Sequence, residues 1–277
     1  MEFQQPRICL SIAGLDPSGG AGIVADIKTF TAFGCFAAAA VTSVTFQNTT
    51  GVFGATHLNG PAITGQIKAV MEDLVVSAAK TGMIATEEGI SAVAEALRQW
   101  PIPFLVVDPV VRSTSGYDLI DDGALRVLIE KLFPLSTVVT PNRQEAERIS
   151  GLDIRSEEDI ERAAGLIRSM GASNVLIKGG HLESPGSYRP MARDLLFLAD
   201  GNVRIFETER IITDATHGTG CTLAAAITAN LALGLALEDA VAVSKDFVTE
   251  AIRNGISVGH GHSPINIPRD TSCLTRP

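Results

Sequence analysis

The chain has 277 residues, of which 45% are hydrophobic and 19% are charged, a balance typical of a globular protein and not of a disordered one. Its 22 basic and 31 acidic side chains give a formal net charge of −9, which disfavours nucleic acid or an anionic membrane as a partner, since either would require a basic face. The mean hydropathy of +0.24 is high, but no apolar stretch reaches the roughly 20 residues of a membrane-spanning helix. Four cysteines without metal-ligand spacing and the lack of a secretory signal predict free thiols and a cytoplasmic protein.

Apolar runs of strand length alternate with segments of helical periodicity along almost the whole chain. In chain order we predict a strand at 8–13, a helix at 21–33, a strand at 37–46, a helix at 62–74, a strand at 78–80, a helix at 87–100, a strand at 104–108, a helix at 123–133, a strand at 137–140, a helix after Asn142, a helix at 157–170, a strand at 175–178, a hairpin of strands 195–198 and 203–207, and helices at 219–233 and 238–254. This alternation predicts a three-layer α/β/α fold with a central, mostly parallel sheet. Without a linker or an internal repeat, residues 1–277 are predicted to form one domain. Ligands of such sheets bind at the carboxyl ends of the strands, so the chemistry is expected at the strand-to-loop junctions.

Two of these junctions are rich in glycine. The first, GLDPSGGAG at 14–22, has four glycines in nine residues, which lets the backbone approach a ligand closely; a flexible turn is the alternative. The second, THGTGCT at 216–222, leads into a helix, where free N–H groups and the helix dipole can hold an anion. Cys221 lies in the first turn of that helix, a position that favours a thiolate; a small buried packing residue is the alternative. The chain has no GxxxxGK[ST] phosphate loop, and Leu223 is incompatible with a dinucleotide fingerprint.

Acidic side chains mark two further junctions. Asp108 ends a buried strand, where a carboxylate needs a partner such as a metal ion; a turn or cap residue is the alternative. Asn142 is a natural N-cap with Glu145 at the third helical position, which predicts a capping box. The same geometry directs Glu145 toward the mouth of the sheet, where it could hold a magnesium-bound water.

Taken together, these junctions resemble those of one family, the ribokinase-like kinases, and in particular their hydroxymethylpyrimidine and phosphomethylpyrimidine kinase branch. The matching segments occur in the usual order, from residue 8 to about residue 254: SIAGLDPSGGAGIVADIKTF at 11–30, VTFQNTTGV at 44–52, KTGMI at 80–84, VDPV at 107–110, TPNRQEAE at 140–147, IKGGH at 177–181 and HGTGCTLAAAI at 217–227. The resemblance implies transfer of the γ-phosphoryl group of ATP, with Mg²⁺, to 4-amino-5-hydroxymethyl-2-methylpyrimidine and to its monophosphate, in thiamine biosynthesis. It also implies a homodimer.

The resemblance implies catalytic roles for the residues that begin the helix at 219–233. Gly218, Thr219 and Gly220 would surround the phosphoryl group in transit, since phosphoryl transfer depends on positioning and charge neutralisation. Cys221 would orient the substrate hydroxyl and finally accept its proton. Most ribokinase-like kinases have Asp at this position, whereas this branch commonly has Cys.

The resemblance also implies the binding residues for nucleotide and metal. Asp108 and Glu145 would hold Mg²⁺, partly through waters. Lys178, which the resemblance also makes a catalytic residue, would place a cation on the ATP phosphates, with a solvated strand-end lysine as the alternative. Asn142 would contact the phosphates through water or metal.

On the substrate side, the resemblance assigns a pocket near the first glycine-rich turn. The carboxamide of Gln47 has one acceptor and one donor side by side, which matches the ring nitrogen and exocyclic amine of an aminopyrimidine. Met83 would pack on the ring. Gly14, Ala21 and Asp26 are the other pocket positions, with a local pairing inside its helix as the alternative for Asp26.

Three other functions are compatible with the same residues. A pyridoxal or pyridoxine kinase would carry out the same chemistry on a ring that lacks the amine expected to face Gln47. A non-catalytic regulator would bind nucleotide or vitamer without releasing ADP. A thiol-dependent enzyme would use Cys221 as nucleophile with His217 as its base.

Overall fold

The computed structural model describes residues 5–113, 116–179 and 191–269, which form nine strands and eight α-helices. The strands are β1 (Ile8–Leu15), β2 (Phe36–Asn48), β3 (Gly51–His57), β4 (Val76–Thr81), β5 (Leu105–Val107), β6 (Val138–Val139), β7 (Val175–Ile177), β8 (Met191–Phe197) and β9 (Val203–Glu209). The helices are α1 (Gly22–Ala32), α2 (Gly60–Asp73), α3 (Glu87–Gln99), α4 (Asp122–Leu132), α5 (Arg143–Ser150), α6 (Glu157–Ser169), α7 (Thr219–Ala232) and α8 (Leu237–Arg253). A short 3-10 turn, Phe133–Leu135, follows α4.

All nine strands belong to one sheet, in the order β3-β2-β1-β4-β5-β6-β7-β8-β9. The six strands from β2 to β7 in this order are parallel, and β3, β8 and β9 add antiparallel edges. The predicted mostly parallel α/β/α fold is therefore confirmed. The chain runs from β1 to β2 on one side and then to β4 on the other, so the strand order reverses between β1 and β4. Ligands of open α/β sheets bind at such a reversal.

Successive residues of the parallel strands point into two separate cores. Leu10 and Val107 pack against helices α2 to α6, whereas Cys9 and Val106 pack against α1, α7 and α8. Helix α7 is buried on almost every side because it packs on the sheet and on both α1 and α8. This burial holds the first turn of α7 in a fixed position at the carboxyl edge of the sheet.

One strand, β3, was not predicted from the sequence. Its residues, GVFGATH, alternate neither in polarity nor in burial, because β3 is an edge strand that pairs only with β2. Phe46 of β2 lies opposite Gly54 of β3, where a Cβ atom would stand 3.1 Å from the Phe46 ring. The hairpin prediction is otherwise correct at β8 and β9, although β8 begins four residues earlier than predicted.

Some predictions fall on parts of the chain that are not described. The second glycine and the histidine of the IKGGH segment and Cys273 lie outside the described residues, whereas Cys9, Cys35 and Cys221 are free thiols as predicted. Among the described residues, none of the helices combines the length and the apolar character that a membrane span requires.

Candidate active site

A cavity of about 960 Å³ opens at the carboxyl edge of the sheet, between the β1–α1 loop and the first turn of α7. Parallel strands end at the same edge, so residues that are far apart in the sequence converge there. The predicted site residues that line the cavity are Gly14, Ala21, Gln47, Met83, Asp108, Asn142, Glu145, Lys178, Gly218, Thr219, Gly220 and Cys221. Of the predicted set, only Asp26 does not line it.

The two glycine-rich loops pack directly on each other. Gly218 has φ +86°, and a Cβ atom there would stand 1.9 Å from the carbonyl oxygen of Gly20. A Cβ atom on Gly20 would stand 2.4 Å from Cδ2 of His217, and one on Gly22, which has φ +55°, 2.3 Å from the carbonyl oxygen of Gly14. Gly20 and Gly218 are therefore required by contact between the two loops, and Gly22 by contact within the first loop. The backbone conformations of Gly22 and Gly218 also favour glycine.

The first turn of α7 has the features of an anion site. Gly218 is its N-cap, and among the described residues no side chain caps it. The first N–H groups of a helix lack acceptors within the helix, and the helix dipole adds partial positive charge. Nζ of Lys178 lies 3.4 Å from the position that a Cβ atom on Gly220 would occupy, which adds a full positive charge beside the same turn.

Lys178 and Asp108 form an ion pair on the cavity wall, with 2.8 Å between Nζ and Oδ1. Asp108 also accepts a hydrogen bond of 3.0 Å from Oγ1 of Thr140. Burial alone would raise the pKa of Asp108, but the charges of Lys178 and Lys80 hold it below its usual value. Asp108 is thus an ionised, buried carboxylate with a cation as its partner.

Glu145 forms the predicted capping box and still lines the cavity. Its Oε2 accepts a hydrogen bond of 2.7 Å from the N–H of Asn142, and its own N–H donates one of 2.9 Å to Oδ1 of Asn142. Burial raises the pKa of Glu145 to about 7; the Lys178 charge opposes this shift and the Asp108 charge adds to it.

The two carboxylates fit a cation that binds together with a nucleotide. The described residues contain no group of three or more His, Cys, Asp or Glu side chains that could hold a metal on its own. Mg²⁺ commonly binds through one or two carboxylates, with phosphates and waters completing its shell. Asp108 and Glu145 supply that number.

The prediction of a thiolate at Cys221 is wrong for this structure. Burial raises the pKa of Cys221 to about 11; the Lys80 charge opposes this, and the charges of Asp26 and Asp108 add to it. Loss of solvation therefore outweighs the helix N-terminus that motivated the prediction.

Asp26 also differs from the prediction, because its carboxylate is fully buried below the cavity and not on its wall. It pairs with Nζ of Lys80 at 3.0 and 3.1 Å and accepts a hydrogen bond of 2.5 Å from Oγ of Ser11. Both side chains of the ion pair have 0% exposure. The pairing is not local to α1 either, since Ser11 and Lys80 belong to β1 and β4. Lys80 Nζ lies 3.1 Å from the position of a Cβ atom on Gly82, which lines the cavity.

The opposite wall of the cavity carries the predicted substrate residues. Sδ of Met83 lies 3.1 Å from the position that a Cβ atom on Gly14 would occupy, so a larger residue than glycine at position 14 would crowd the Met83 side chain. Nε2 of His217 lies 2.8 Å from Oδ2 of Asp16 and 3.3 Å from the Gln47 carboxamide.

Asp16 was not predicted from the sequence as a site residue. It closes the β1–α1 loop by accepting hydrogen bonds from the N–H and hydroxyl of Ser18, at 2.8 and 2.7 Å. An aspartate two residues before a serine in a glycine-rich turn is the signal that could have identified it. Its partner His217 presents Nε2 to the substrate side of the cavity.

Comparison with known proteins agrees with this geometry. The family model described as phosphomethylpyrimidine kinase matches residues 16–266. A hydroxymethylpyrimidine/phosphomethylpyrimidine kinase of Haemophilus influenzae is 43% identical over 257 residues, which cover 93% of this chain and 95% of the relative. The crystal structure of phosphomethylpyrimidine kinase from Clostridium difficile has a TM-score of 0.77 and 41% identity, covering 89% of this chain and 99% of that one. The structure of a Staphylococcus aureus pyridoxal kinase in complex with AMP-PCP has a TM-score of 0.85 and 33% identity, covering 95% of this chain and 94% of that chain. The resemblance inferred from the sequence is confirmed, and the chain belongs to the phosphomethylpyrimidine kinase family.

Proposed function

We propose that the chain is an ATP-dependent kinase that phosphorylates 4-amino-5-hydroxymethyl-2-methylpyrimidine and then its monophosphate, as part of thiamine biosynthesis. The observation that carries this proposal is a single cavity, in a member of this family, with an anion site at one end and the carboxamide of Gln47 at the other. Phosphoryl transfer requires a donor and an acceptor held in line, with the charge between them neutralised, and the two ends of the cavity supply these functions.

At the nucleotide end, Gly218 and Gly220 present backbone N–H groups to the phosphoryl group in transit. Thr219 shapes the turn between them, since its own N–H donates a hydrogen bond of 3.3 Å to the carbonyl oxygen of Thr216. Lys178 neutralises the phosphates, and Asn142 contacts them through water or metal. Because Lys178 is paired with Asp108, the incoming phosphates compete with that carboxylate for its ammonium group.

Asp108 and Glu145 would hold Mg²⁺, which supplies neutralisation of the phosphate charge when bound. Glu145 is ionised only in part at neutral pH, given its pKa of about 7. Its backbone contact with Asn142 keeps the carboxylate in place in either protonation state.

At the transfer point, Cys221 orients the attacking hydroxyl and takes its proton late in the reaction. A loose transition state leaves the proton on the hydroxyl until the new bond is largely formed, so a strong base is not required. Only the thiolate can accept that proton, and because the pKa of the thiol is raised to about 11, the thiolate is a small fraction at neutral pH.

At the acceptor end, Gln47 pairs with the ring nitrogen and the exocyclic amine, and Met83 packs on the ring face. Gly14 and Ala21 bring the backbone of the β1–α1 loop next to the ring. The Asp26–Lys80 ion pair lies below this part of the cavity, supports the β1–α1 loop, and makes no contact with the substrate.

Three properties of the whole protein complete the proposal. We propose that residues 1–277 act as one domain, supported by the single continuous sheet. We propose a homodimer, supported by Phe46 and Phe53, which are 55% and 68% exposed on the β2–β3 edge. A cytoplasmic location is supported by the free thiols.

A coupled ADP-release assay with pyrimidine and pyridine alcohols, with and without Mg²⁺, tests the function. We expect the highest kcat/KM for the aminopyrimidine alcohol and no turnover without Mg²⁺. A higher kcat/KM for pyridoxal or pyridoxine would instead establish the pyridoxal kinase alternative. Ligand binding without release of ADP in the presence of any of the alcohols would establish the non-catalytic regulator.

A further inference from the structure

The residue that follows Lys178 is held by a side chain of the neighbouring strand β8. The described ladder between β7 and β8 ends at the pair Ile177 and Leu195. Beyond this pair, the N–H of Gly179 donates a hydrogen bond of 2.8 Å to Oδ1 of Asp194. Gly179 has φ +63°, so the chain turns away from the strand direction directly after Lys178. The contact with Asp194 therefore fixes the backbone on the carboxyl side of Lys178.

The amino side of Lys178 is held by the chain that follows β6. The N–H of Lys178 donates a hydrogen bond of 2.8 Å to the carbonyl oxygen of Pro141. From this doubly held backbone, Nζ of Lys178 lies 2.8 Å from Oδ1 of Asp108 and 3.4 Å from the position that a Cβ atom on Gly220 would occupy. A lysine ammonium group is carried on a flexible four-carbon stem. A fixed backbone is therefore needed to keep this group beside the first turn of α7.

Lys245 balances the charge of Asp194 from the side of helix α8. Oδ2 of Asp194 lies 2.6 Å from Nζ of Lys245, and the two side chains are only 10% and 8% exposed. A buried carboxylate requires such a partner, because an isolated charge is costly away from water. The two oxygens of Asp194 are thus divided between the Lys245 ammonium group and the N–H of Gly179. Lys178 keeps Asp108 as its own partner, which the ATP phosphates can replace.

We propose that Asp194, with its charge balanced by Lys245, is a positioning residue for Lys178: it fixes the backbone at Gly179 and so holds the Lys178 ammonium group where the ATP phosphates bind. This inference rests on the proposed function and deepens it, because Lys178 is the cation that the function places on the phosphates. Asp194 itself touches neither nucleotide nor acceptor.

Two double variants separate the hydrogen bond to Gly179 from the ion pair. Asp194→Asn with Lys245→Met keeps an acceptor for the N–H of Gly179, whereas Asp194→Leu with Lys245→Met removes it, and asparagine and leucine are similar in shape. Both variants remove the two charges together, which is often neutral for stability. We expect kcat/KM for ATP to be about tenfold lower in the leucine variant than in the asparagine variant, as for one lost hydrogen bond. The KM for the pyrimidine alcohol should be the same in both, because Lys178 lies at the nucleotide end of the cavity.

Removal of Lys178 tests whether the effect passes through this lysine. In a Lys178→Met background the two double variants should have equal kcat/KM for ATP, because the group that they position is absent. The Kd for ATP, measured by calorimetry without acceptor, gives the same comparison independently of turnover. Ser244→Ala is the matched control, since it removes a buried hydroxyl beside Lys245 in α8 that contacts Asn230 and the carbonyl oxygen of Ala240. Its kcat/KM for ATP should equal that of the wild type.

The possible outcomes separate this inference from the function on which it rests. Wild-type protein that releases no ADP with any alcohol refutes the proposed function, and the inference with it. Active wild-type protein together with equal kcat/KM for ATP in the asparagine and leucine variants overturns the inference alone. A tenfold difference that persists in the Lys178→Met background also overturns it, because the effect would then not pass through Lys178.

Asp194→Ala with Lys245→Met is a second variant without the acceptor, for use if the leucine variant does not fold. We expect it to show the same loss relative to the asparagine variant. If neither acceptor-free variant folds while the asparagine variant does, the hydrogen bond serves the fold and the positioning role is refuted.

Discussion

The contact between Gly218 and Gly20 predicts that Gly218→Ala inactivates the enzyme through the positions of the loops. The added Cβ atom would stand 1.9 Å from the carbonyl oxygen of Gly20, and side-chain carbons do not approach within 3.0 Å, so the loops must separate by at least 3.0 − 1.9 = 1.1 Å. Displacement of about 1 Å at a reacting centre reduces the rate about 100-fold. The left-handed backbone, with φ +86°, adds about 1–2 kcal/mol of strain.

Gly234, at the other end of α7, provides the control. It has φ +94° but no atom within 4 Å of a Cβ position, so Gly234→Ala introduces similar backbone strain without the clash. Urea unfolding should show a larger loss of stability in Gly218→Ala, because the clash adds to the backbone strain that the two variants share. ADP release should show a kcat about 100-fold lower in Gly218→Ala than in Gly234→Ala. If the two kcat values agree within about threefold, a fixed contact between the loops is not needed for catalysis.

Three further predictions concern ionisable groups on the wall of the cavity or below it. Cys221→Ser should lower kcat about 100-fold with the KM for ATP unchanged, and wild-type kcat should rise with pH because the thiolate fraction grows up to about pH 11. Lys80→Met should lower the free energy of unfolding by about 3–5 kcal/mol, because Asp26 is left buried without its cation, and Lys80→Met with Asp26→Asn should recover most of it in urea unfolding. The folded-state pKa of Glu145 is raised from 4.5 to about 7, so the folded protein binds the extra proton, and wild type should lose up to about 3 kcal/mol relative to Glu145→Gln as the pH rises through this window.

Each of these predictions has an outcome that would contradict it. Unchanged kcat in Cys221→Ser would remove the thiol from the proton transfer. A double variant at Lys80 and Asp26 that is no more stable than Lys80→Met alone would show that the isolated charge is not the cause of the loss. Parallel pH–stability curves for wild type and Glu145→Gln, which keeps the capping geometry, would show that the Glu145 carboxyl binds no extra proton on folding.

The alternation of strands and helices could be predicted from the sequence because each parallel strand is covered on both faces and is therefore a continuous apolar run. Strand β3 could not, because an edge strand with glycine and polar residues has no such pattern. The clustering of Asp108, Glu145, Lys178 and the glycine-rich loops could also be anticipated, since all parallel strands end at one edge of the sheet.

The electrostatic state of the site was decided only by the tertiary structure. Asp26 meets Lys80, 54 positions away, and His217 meets Asp16, 201 positions away. The sequence indicates which side chains can ionise, and local motifs suggest where they lie along the chain. A pKa depends on which charges and how much solvent surround the group in space, and this is why the predicted thiolate of Cys221 is a partly buried, protonated thiol in the folded protein.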